Sequence, residues 1–445
     1  MLKMALLIAE EDFVIYKTGF DKDNLDRNKF ANQLSELINK ATEPFVIALD
    51  GKWGSGKSYF LKRWVKHHSP DKATTVYFDA FENDYLSEPL ISIISSVNDR
   101  IPKEYKQNWK HLGFKIAKPL ASIGLNLLTF GAEKKAAELI GVALDAAQNE
   151  IEYISNKFWE AEDARKNSMN EFKILLTKVA TDEKPLVIVV DELDRCRPDY
   201  ALSVLEVIKH FFSVPNVHFI LGVNLIALEN SVKAQYGAGT DATNYLNKFI
   251  HIKTNLPDKI GKGGEIDAIE KYFITRSSEM SLNKDFQEKC KKVILSTKSG
   301  NNISLRDIQK ICTKIKLTPK PSSGDWNNSY TWVASILIVA SVINENFHKN
   351  LIDERIDAKE ILEFLGMKES DTFVDENGDG NSTFNHETQM IYSFLCHCCF
   401  GQGCKQLKIC ESHFHNIKTN TLGNNINHKW MLTIQRDFVD VFKAF

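Results

Sequence analysis

The chain has 445 residues, a length that fits about two or three domains. Its 56 basic and 58 acidic residues nearly balance, and 43% of all residues are hydrophobic, as in ordinary water-soluble globular proteins. A net charge of −2 gives no argument for a surface that is basic overall and binds nucleic acid or anionic membranes, although local basic patches stay open.

The N-terminus is not predicted to be a targeting signal. Residues 1–9 are apolar but lead directly into the acidic Glu10–Asp12 and then into sequence typical of a folded domain. The longest suspicious apolar stretch, Pro119–Gly131, is too short to cross a bilayer as a helix. The cysteines before residue 320 are scattered, as in a reducing compartment. We therefore expect a cytoplasmic protein without a transmembrane segment.

A phosphate-binding loop is predicted early in the chain. Residues Gly51–Ser58 read Gly-Lys-Trp-Gly-Ser-Gly-Lys-Ser, which is the pattern G-x-x-x-x-G-K-S. The apolar run Phe45–Leu49 before it has the length of a buried strand, and Tyr59–Lys66 after it has helical spacing. Strand, glycine-rich turn and helix are the context in which this pattern binds phosphate, so a chance glycine-rich turn is the weaker interpretation.

Each part of this loop has a chemical role. Glycines allow backbone N–H groups to converge on phosphate oxygens, and the helix N-terminus adds partial positive charge. Lys57 is expected to reach the β- and γ-phosphates, and Ser58 to bind Mg²⁺. The predicted nucleotide-binding residues are Gly51, Trp53, Gly54, Ser55, Gly56, Lys57, Ser58 and Tyr59.

A second apolar run predicts the metal-binding and catalytic carboxylates. Leu186–Val190 is typical of a central parallel strand, and Asp191 and Glu192 follow it. Asp191 is expected to hold Mg²⁺ at the carboxyl end of the strand, and Glu192 to polarise the attacking water as general base. The adjacent glutamate is typical of the ASCE division of P-loop NTPases. The alternative is a buried strand that ends in an acidic turn.

Three further strands complete the predicted sheet. Val217–Val223 fits the extra strand of an ASCE sheet and ends at Asn224, which either orients the lytic water (sensor 1) or caps the helix Leu225–Tyr236. Thr75–Ala80 and Phe249–Ile252 fit the other two strands. With right-handed crossovers, the predicted fold is an α/β P-loop NTPase with a parallel sheet of order 5-1-4-3-2.

Several stretches together resemble the KAP family of P-loop NTPases. They are Asn24–Ala31, the loop Gly51–Ser58 with Trp53 inside it, Phe78–Asp84, Asp191–Pro198 and Tyr245–Pro257. The resemblance covers the chain from about Asp21 to Lys316. It implies an ASCE core, ATP as the nucleotide and often, in bacteria, a role in defence against phages.

Three features depart from the usual pattern of that family. Phe81 stands where members usually carry Trp, and Asn224 stands where many carry Asp. Many members also have transmembrane helices inserted between the phosphate-binding loop and the carboxylate strand. Here the insertion 103–173 is predicted to be helical and mostly amphipathic, without a membrane span. We therefore predict a member without a membrane anchor.

Hydrolysis by ASCE proteins often needs an arginine that neutralises charge on the γ-phosphate. Arg195 is a candidate that would act across an interface between subunits; the alternative is that Arg195 and Arg197 pair with Asp194 and Asp199. Arg306 resembles the nucleotide-sensing arginine (sensor 2) of the family's helical lid; the alternative is a surface arginine on an amphipathic helix.

The C-terminal region is predicted to be mainly helical. Within it, Cys396, Cys399, Cys404 and Cys410 are candidate Zn²⁺ ligands. Their spacings do not form two C-x₂-C pairs, so buried free thiols are the favoured interpretation.

The predicted organisation has five segments. They are 1–102, an N-terminal helix and the first part of the NTPase core; 103–173, the helical insertion; 174–260, the second part of the core; 261–320, the lid; and 321–445, the C-terminal domain.

The predicted function is Mg²⁺-dependent ATP hydrolysis that drives assembly or signalling, in a homo-oligomer or with a partner protein encoded nearby. The alternative is a nucleotide-gated scaffold or switch with little turnover. Nucleic-acid binding stays open but lacks a strong basic signature.

Overall fold

The computed structural model describes residues 14–21, 23, 25–68, 72–85, 89–109, 112, 167, 169–260, 266–318, 328–368, 386–400 and 428–440. The chain divides into two compact units, one from Phe13 to Pro257 and one that contains Asp258–Phe445. The division lies close to the predicted boundary at residue 260, and the predicted lid and C-terminal segments fall in the same unit.

The first unit is built on a five-stranded parallel sheet. Its strands are β1 (Val46–Asp50), β2 (Thr74–Asp79), β3 (Leu186–Asp191), β4 (Val217–Val223) and β5 (Ile252–Asn255). Hydrogen bonding gives the order β2-β3-β4-β1-β5, with every neighbouring pair parallel. This is the order 5-1-4-3-2 counted from the other edge, so the predicted α/β P-loop NTPase fold is confirmed.

The central strands are apolar because both faces of the sheet are covered by helices. Successive side chains of a strand point to opposite faces, and β1 shows this directly. Val46 and Ala48 belong to one buried cluster, whereas Ile47 and Leu49 belong to the cluster on the other side. All four are at most 1% exposed. A strand that is buried on both faces needs an uninterrupted apolar run, and such runs predicted the central strands from the sequence.

The predicted position of the fifth strand is wrong by three residues. We expected Phe249–Ile252, but β5 spans Ile252–Asn255. Phe249 and Ile250 are buried in the turn before the strand. The strand itself lies at the sheet edge, is paired only with β1 and is mostly exposed, so its own residues need not be apolar. The apolar signal therefore came from the turn and not from the strand.

Helices connect the strands of the first unit. They are α1 (Asn28–Lys40), α2 (Lys57–His67), α3 (Pro89–Arg100), α4 (103–109), α5 (169–179), α6 (Pro198–His210), α7 (Leu225–Tyr236) and α8 (Ala242–Leu246). Helix α2 packs on the sheet through Phe60, Leu61, Trp64 and Val65, which share a buried cluster with Ile47.

The two ends of the predicted insertion pack together in the core. Trp109 on α4 and Phe172 on α5 are fully buried, with ring centroids 4.9 Å apart in an edge-to-face arrangement. Phe172 makes a similar contact with Phe211, also at 4.9 Å. Residues 113–166, which carry most of the predicted helical insertion, lie outside the described residues. The two ends of the insertion thus lie side by side in the core.

The second unit is mainly helical in its described part. A short antiparallel pair, β6 (Lys259–Ile260) and β7 (Ile266–Asp267), precedes the helices. The helices are α9 (Ala268–Glu279), α10 (Lys284–Thr297), α11 (Leu305–Leu317), α12 (Asn328–Ile343), α13 (Glu345–Ile352), α14 (Ala358–Leu365), α15 (His386–Phe400) and α16 (His428–Ile434), after which Gln435–Val439 forms a π-helical turn.

Polar side chains fix where several of these helices begin. Ser304, the N-cap residue of α11, forms a capping box with Asp307. Asp357 and Glu360 form the same motif at the start of α14. Each motif pairs backbone N–H groups that have no partner within the helix.

Helix α12 is the most apolar helix of this unit and forms its centre. Its residues from Tyr330 to Ala340 are buried, and it packs against α10, α11, α13 and α16. Its apolar character on all sides is explained by burial within a helical bundle. Across the described ranges, no helix combines the length and the apolarity needed to cross a bilayer.

The close contact between β3 and β4 at Gly222 leads to a testable prediction. Gly222 on β4 lies beside Asp191 on β3, and a Cβ at position 222 would overlap Oδ1 of Asp191 and a methyl group of Leu61. We expect Gly222→Ala to destabilise the protein by about 1–3 kcal/mol, because overpacking displaces neighbouring groups. Chemical denaturation measures this change.

The control for this prediction is Gly239→Ala, since a Cβ at residue 239 would meet nothing within 4 Å. We expect this control to change the free energy of unfolding by about 0.5 kcal/mol or less. Equal denaturation midpoints for the wild type and Gly222→Ala would contradict the close packing.

Candidate functional site

The phosphate-binding loop joins β1 to α2 at the carboxyl edge of the sheet. The N–H of Gly51 donates to the carbonyl of Val223 at 3.1 Å, which extends the pairing of β1 with β4 by one residue. Gly54 and Gly56 have φ of 82° and 87°, a conformation that glycine adopts without a Cβ clash. Helix α2 begins at Lys57, and the N–H groups of its first turn have no acceptor within the helix. These features form a cradle for phosphate.

Lys57 folds back onto the loop. Its ammonium donates to the carbonyl oxygens of Gly51 and Lys52, and the latter contact is 3.2 Å long. The residue is 8% exposed, and burial lowers the pKa of the Lys57 ammonium, while the nearby carboxylates, Asp194 the strongest of them, act in the opposite direction. A bound phosphate would therefore meet a cation that the protein already holds in place.

Asp191 is the last residue of β3 and is 1% exposed. The hydroxyl of Tyr77 donates to its Oδ2 at 2.7 Å, and the N–H of Glu192 donates to its Oδ1 at 3.0 Å. Burial raises the pKa of Asp191 to about 6, against the hydrogen bonds from Tyr77 and Ser58, which lower it. Tyr77, on β2, was not predicted as part of the site.

Glu192 has a backbone conformation that is uncommon for a residue with a side chain. Its φ is 60° and its ψ is 22°, in the left-handed region. The hydroxyl of Ser58 donates to Oε1 at 2.8 Å, and Nε of Arg195 forms an ion pair with Oε2. Both carboxylate oxygens of the predicted base are therefore engaged by side chains of the protein.

The action of Arg195 across an interface between subunits stays a prediction. Within the chain, the structure pairs Arg195 with Glu192 and not with Asp194 or Asp199. The reason is the 3₁₀ turn Leu193–Arg195, because residues three apart are eclipsed in that geometry. Nη1 of Arg197 does lie 3.9 Å from Oδ2 of Asp199, as the alternative predicted.

Asp194 binds the tryptophan of the phosphate-binding loop instead. Nε1 of Trp53 donates to Oδ2 of Asp194 at 2.6 Å, although 51% of the Trp53 surface stays exposed. The sequence singled out Trp53 but not its partner. This hydrogen bond joins the loop after β1 to the turn after β3, so the two halves of the site are physically connected.

The capping alternative for Asn224 is also wrong. Asn224 occupies the N-cap position of α7, but its side chain makes no capping hydrogen bond. Oδ1 of Asp50, the last residue of β1, accepts from the N–H of Leu225 at 2.9 Å. The sensor role of Asn224 stays a prediction.

A buried arginine outside the predicted set also contacts the loop. Nη1 and Nη2 of Arg27 donate to the carbonyl oxygens of Gly56 and Ser55, at 3.3 Å and 3.2 Å. Arg27 belongs to the stretch Asn24–Ala31, which resembles a known family. That resemblance did not predict the contact of Arg27 with the loop.

Tyr59 is a predicted nucleotide-binding residue. The guanidinium of Arg63 lies over its ring, with Cζ 4.3 Å from the ring centroid.

The remaining candidates belong to the second unit. Arg306 is an exposed residue of α11, and its contact with nucleotide stays a prediction. Cys396 is buried on α15, and burial raises the pKa of the Cys399 thiol on the same helix to about 12. Cys404 and Cys410 lie outside the described residues. Within the ranges that the structure covers, no three His, Cys, Asp or Glu side chains are grouped to hold a metal ion.

Comparisons with known proteins agree with this site and fold. A model of the KAP family P-loop domain matches residues 27–320. The uncharacterized protein MJ0182 of Methanocaldococcus jannaschii is 31% identical over 131 residues, which cover 26% of this chain and 68% of that protein.

Solved structures align with most of the chain at low similarity. For the ORC2 protein of Aeropyrum pernix in ADPNP–ADP complexes, identity is 12% and the TM-score is 0.32, over 94% of this chain and 95% of that chain. For AMPPCP-bound DnaA of Aquifex aeolicus, identity is 10% and the TM-score is 0.34, over 96% and 90%. TM-scores this low carry no argument. The family model, in contrast, spans well over half of the chain and includes both halves of the site, so the chain belongs to the KAP family of P-loop NTPases.

Proposed function

We propose that the chain binds ATP and hydrolyses it with Mg²⁺, and that turnover drives assembly or signalling. One observation carries the proposal. The hydroxyl of Ser58, at the start of the P-loop helix, lies 2.8 Å from the carboxylate of Glu192, directly after Asp191. Side chains for binding phosphate, metal and water thus converge at one edge of the sheet. ATP is the nucleotide that the family implies.

The residues present fit a magnesium ion. Mg²⁺ prefers oxygen ligands, keeps several waters, and in nucleotide sites is held by one or two protein groups together with phosphate oxygens. The Ser58 hydroxyl and the Asp191 carboxylate supply such oxygens. When bound, Mg²⁺ would neutralise charge on the phosphate oxygens.

In the proposed reaction, Glu192 accepts a proton from a water whose oxygen attacks the γ-phosphorus. The bond from that phosphorus to the bridging oxygen breaks, and the bridging oxygen leaves with ADP. Lys57 and the N–H groups at the start of α2 stabilise the negative charge. Asn224 is proposed to orient the water and Arg306 to contact nucleotide. Glu192 must first exchange its contacts with Ser58 and Arg195 for the water.

The proposed setting is the cytoplasm, in a homo-oligomer or with a partner protein encoded nearby. The family resemblance supports an anti-phage role.

Replacing Glu192 with Gln removes the proposed base and keeps the size of the side chain. We expect turnover to fall roughly 100-fold or more, because general-base catalysis contributes factors of this order. ATP binding should persist, since Lys57 and the backbone of the loop are unchanged. Phosphate release at saturating ATP and Mg²⁺ measures turnover, and titration with a fluorescent ATP analogue measures binding.

Glu206→Gln is a matched control for this experiment, because Glu206 is an exposed residue of α6. It should turn over ATP like the wild type. Wild-type turnover by Glu192→Gln would show that another group is the base.

A second function, a nucleotide-gated switch, is favoured by the state of Glu192. Its carboxylate is occupied by Arg195 and Ser58, so the base is engaged within its own chain. A protein that keeps this arrangement would hold ATP and turn it over slowly. Measuring molecular size with and without nucleotide, beside turnover, separates a switch from an ATPase.

Arg195→Ala tests whether the ion pair restrains the base. If it does, single-turnover hydrolysis should become faster by up to about fivefold, the factor that a partly exposed ion pair of about 1 kcal/mol supplies. Arg197→Ala removes the same charge two residues later, at the N-cap position of α6, and should leave the rate unchanged. A slower Arg195→Ala would show instead that Arg195 stabilises the transition state.

A further inference from the structure

Arg27 is a buried cation directed at the phosphate-binding loop. It precedes α1, is 3% exposed, and donates from its two terminal nitrogens to two consecutive carbonyls, those of Ser55 and Gly56. Burying a guanidinium is unfavourable unless its donors find acceptors. Here the acceptors are the last two carbonyls before α2 begins at Lys57.

The direction of these carbonyls sets the direction of the N–H groups that follow them. In a trans peptide unit the C=O and N–H bonds lie in one plane and point in opposite directions. When the carbonyls of Ser55 and Gly56 point at Arg27, the N–H groups of Gly56 and Lys57 point away from it. These N–H groups belong to the part of a P-loop that cradles phosphate.

Arg27 is itself held by rigid neighbours. Its N–H donates to Oδ2 of Asp23 at 2.7 Å, and its carbonyl accepts from the N–H of Ala31 at 3.0 Å, in the first turn of α1. The carbonyl of Ala31 in turn accepts from Nε1 of the fully buried Trp64 on α2 at 3.3 Å. The guanidinium is therefore placed by two packed helices and a turn.

We propose that Arg27 is a positioning residue for the phosphates: it holds two carbonyls of the loop so that the N–H groups of Gly56 and Lys57 face the β-phosphate of a nucleotide. The inference rests on the proposed nucleotide binding at this loop. It predicts that the affinity for any ligand with a diphosphate, ADP as well as ATP, depends on Arg27, with or without a metal ion.

The experiment measures the dissociation constants of ATP and ADP for full-length Arg27→Ala in EDTA, by titration with fluorescent analogues. We expect both constants to rise about tenfold or more, because two charge-assisted hydrogen bonds that order the cradle are lost. With Mg²⁺, KM should rise by a larger factor than kcat falls, because the N–H groups contact the substrate before and during the reaction.

Arg100→Ala is the control. Arg100, the last residue of α3, also donates to a backbone carbonyl, but that carbonyl belongs to Thr75 on β2, at 3.2 Å from Nε of Arg100. We expect this variant to lose stability while its nucleotide affinity stays close to wild type. Arg27→Lys keeps the charge but not the fork of two donors, so its affinity should lie between wild type and Arg27→Ala. If Arg27→Ala does not fold, the Lys variant carries the test.

Two results would overturn the inference alone. One is a folded Arg27 variant, Ala or failing that Lys, that binds ADP as the wild type does. The other is an equal loss of affinity in Arg100→Ala, which would mean that any lost contact within the first unit weakens binding. Wild-type protein that binds neither ATP nor ADP would instead overturn the proposed function, and this inference with it.

Discussion

The parallel register of β1, β4 and β3 is the constraint on which the site depends. Asp50 pairs with Val223, and Gly222 pairs with Asp191, so the ends of three strands coincide at one edge of the sheet. Parallel strands end together at one edge, where α/β proteins bind ligands. A shift of one residue in β4 would replace Gly222 by a side chain beside Asp191 and remove the space that the carboxylate occupies. Fold and chemistry are thus specified by the same hydrogen bonds.

The site is largely satisfied by the protein's own groups. The ammonium of Lys57 is bound to loop carbonyls, both oxygens of Glu192 have partners, and Trp53 is bound to Asp194. A nucleotide therefore has to replace internal contacts and does not enter an empty arrangement of charges. Each contact with the nucleotide then contributes less net binding free energy, because an internal hydrogen bond or ion pair is lost when it forms. It also makes the conformation of the turn after β3 sensitive to what occupies the loop.

Much of this arrangement could be predicted because its signals are local. The apolar runs before Gly51, Asp191 and Asn224 identified the three central strands, and the glycine spacing identified the loop. The errors arose where a partner is distant in sequence or where burial is one-sided. The first N–H of α7 donates to Asp50, which lies on another strand. Tyr77 and Arg27 contact the site from elements whose sequence contains no motif that predicts such a contact. An edge strand has no apolar requirement of its own, which misplaced β5.

The packing of Trp109 against Phe172 has a consequence for how this domain can vary in evolution. Because the chain departs and returns at one buried aromatic contact, the length between those rings is not coupled to the spacing of β2 and β3. Lengthening a segment whose two ends are already in contact changes its closure entropy only slowly. This position is therefore a site where insertions are tolerated. A helical bundle, a pair of membrane helices or a short turn could occupy it while the nucleotide site keeps its geometry. We expect differences in length among relatives to concentrate at this point of the chain.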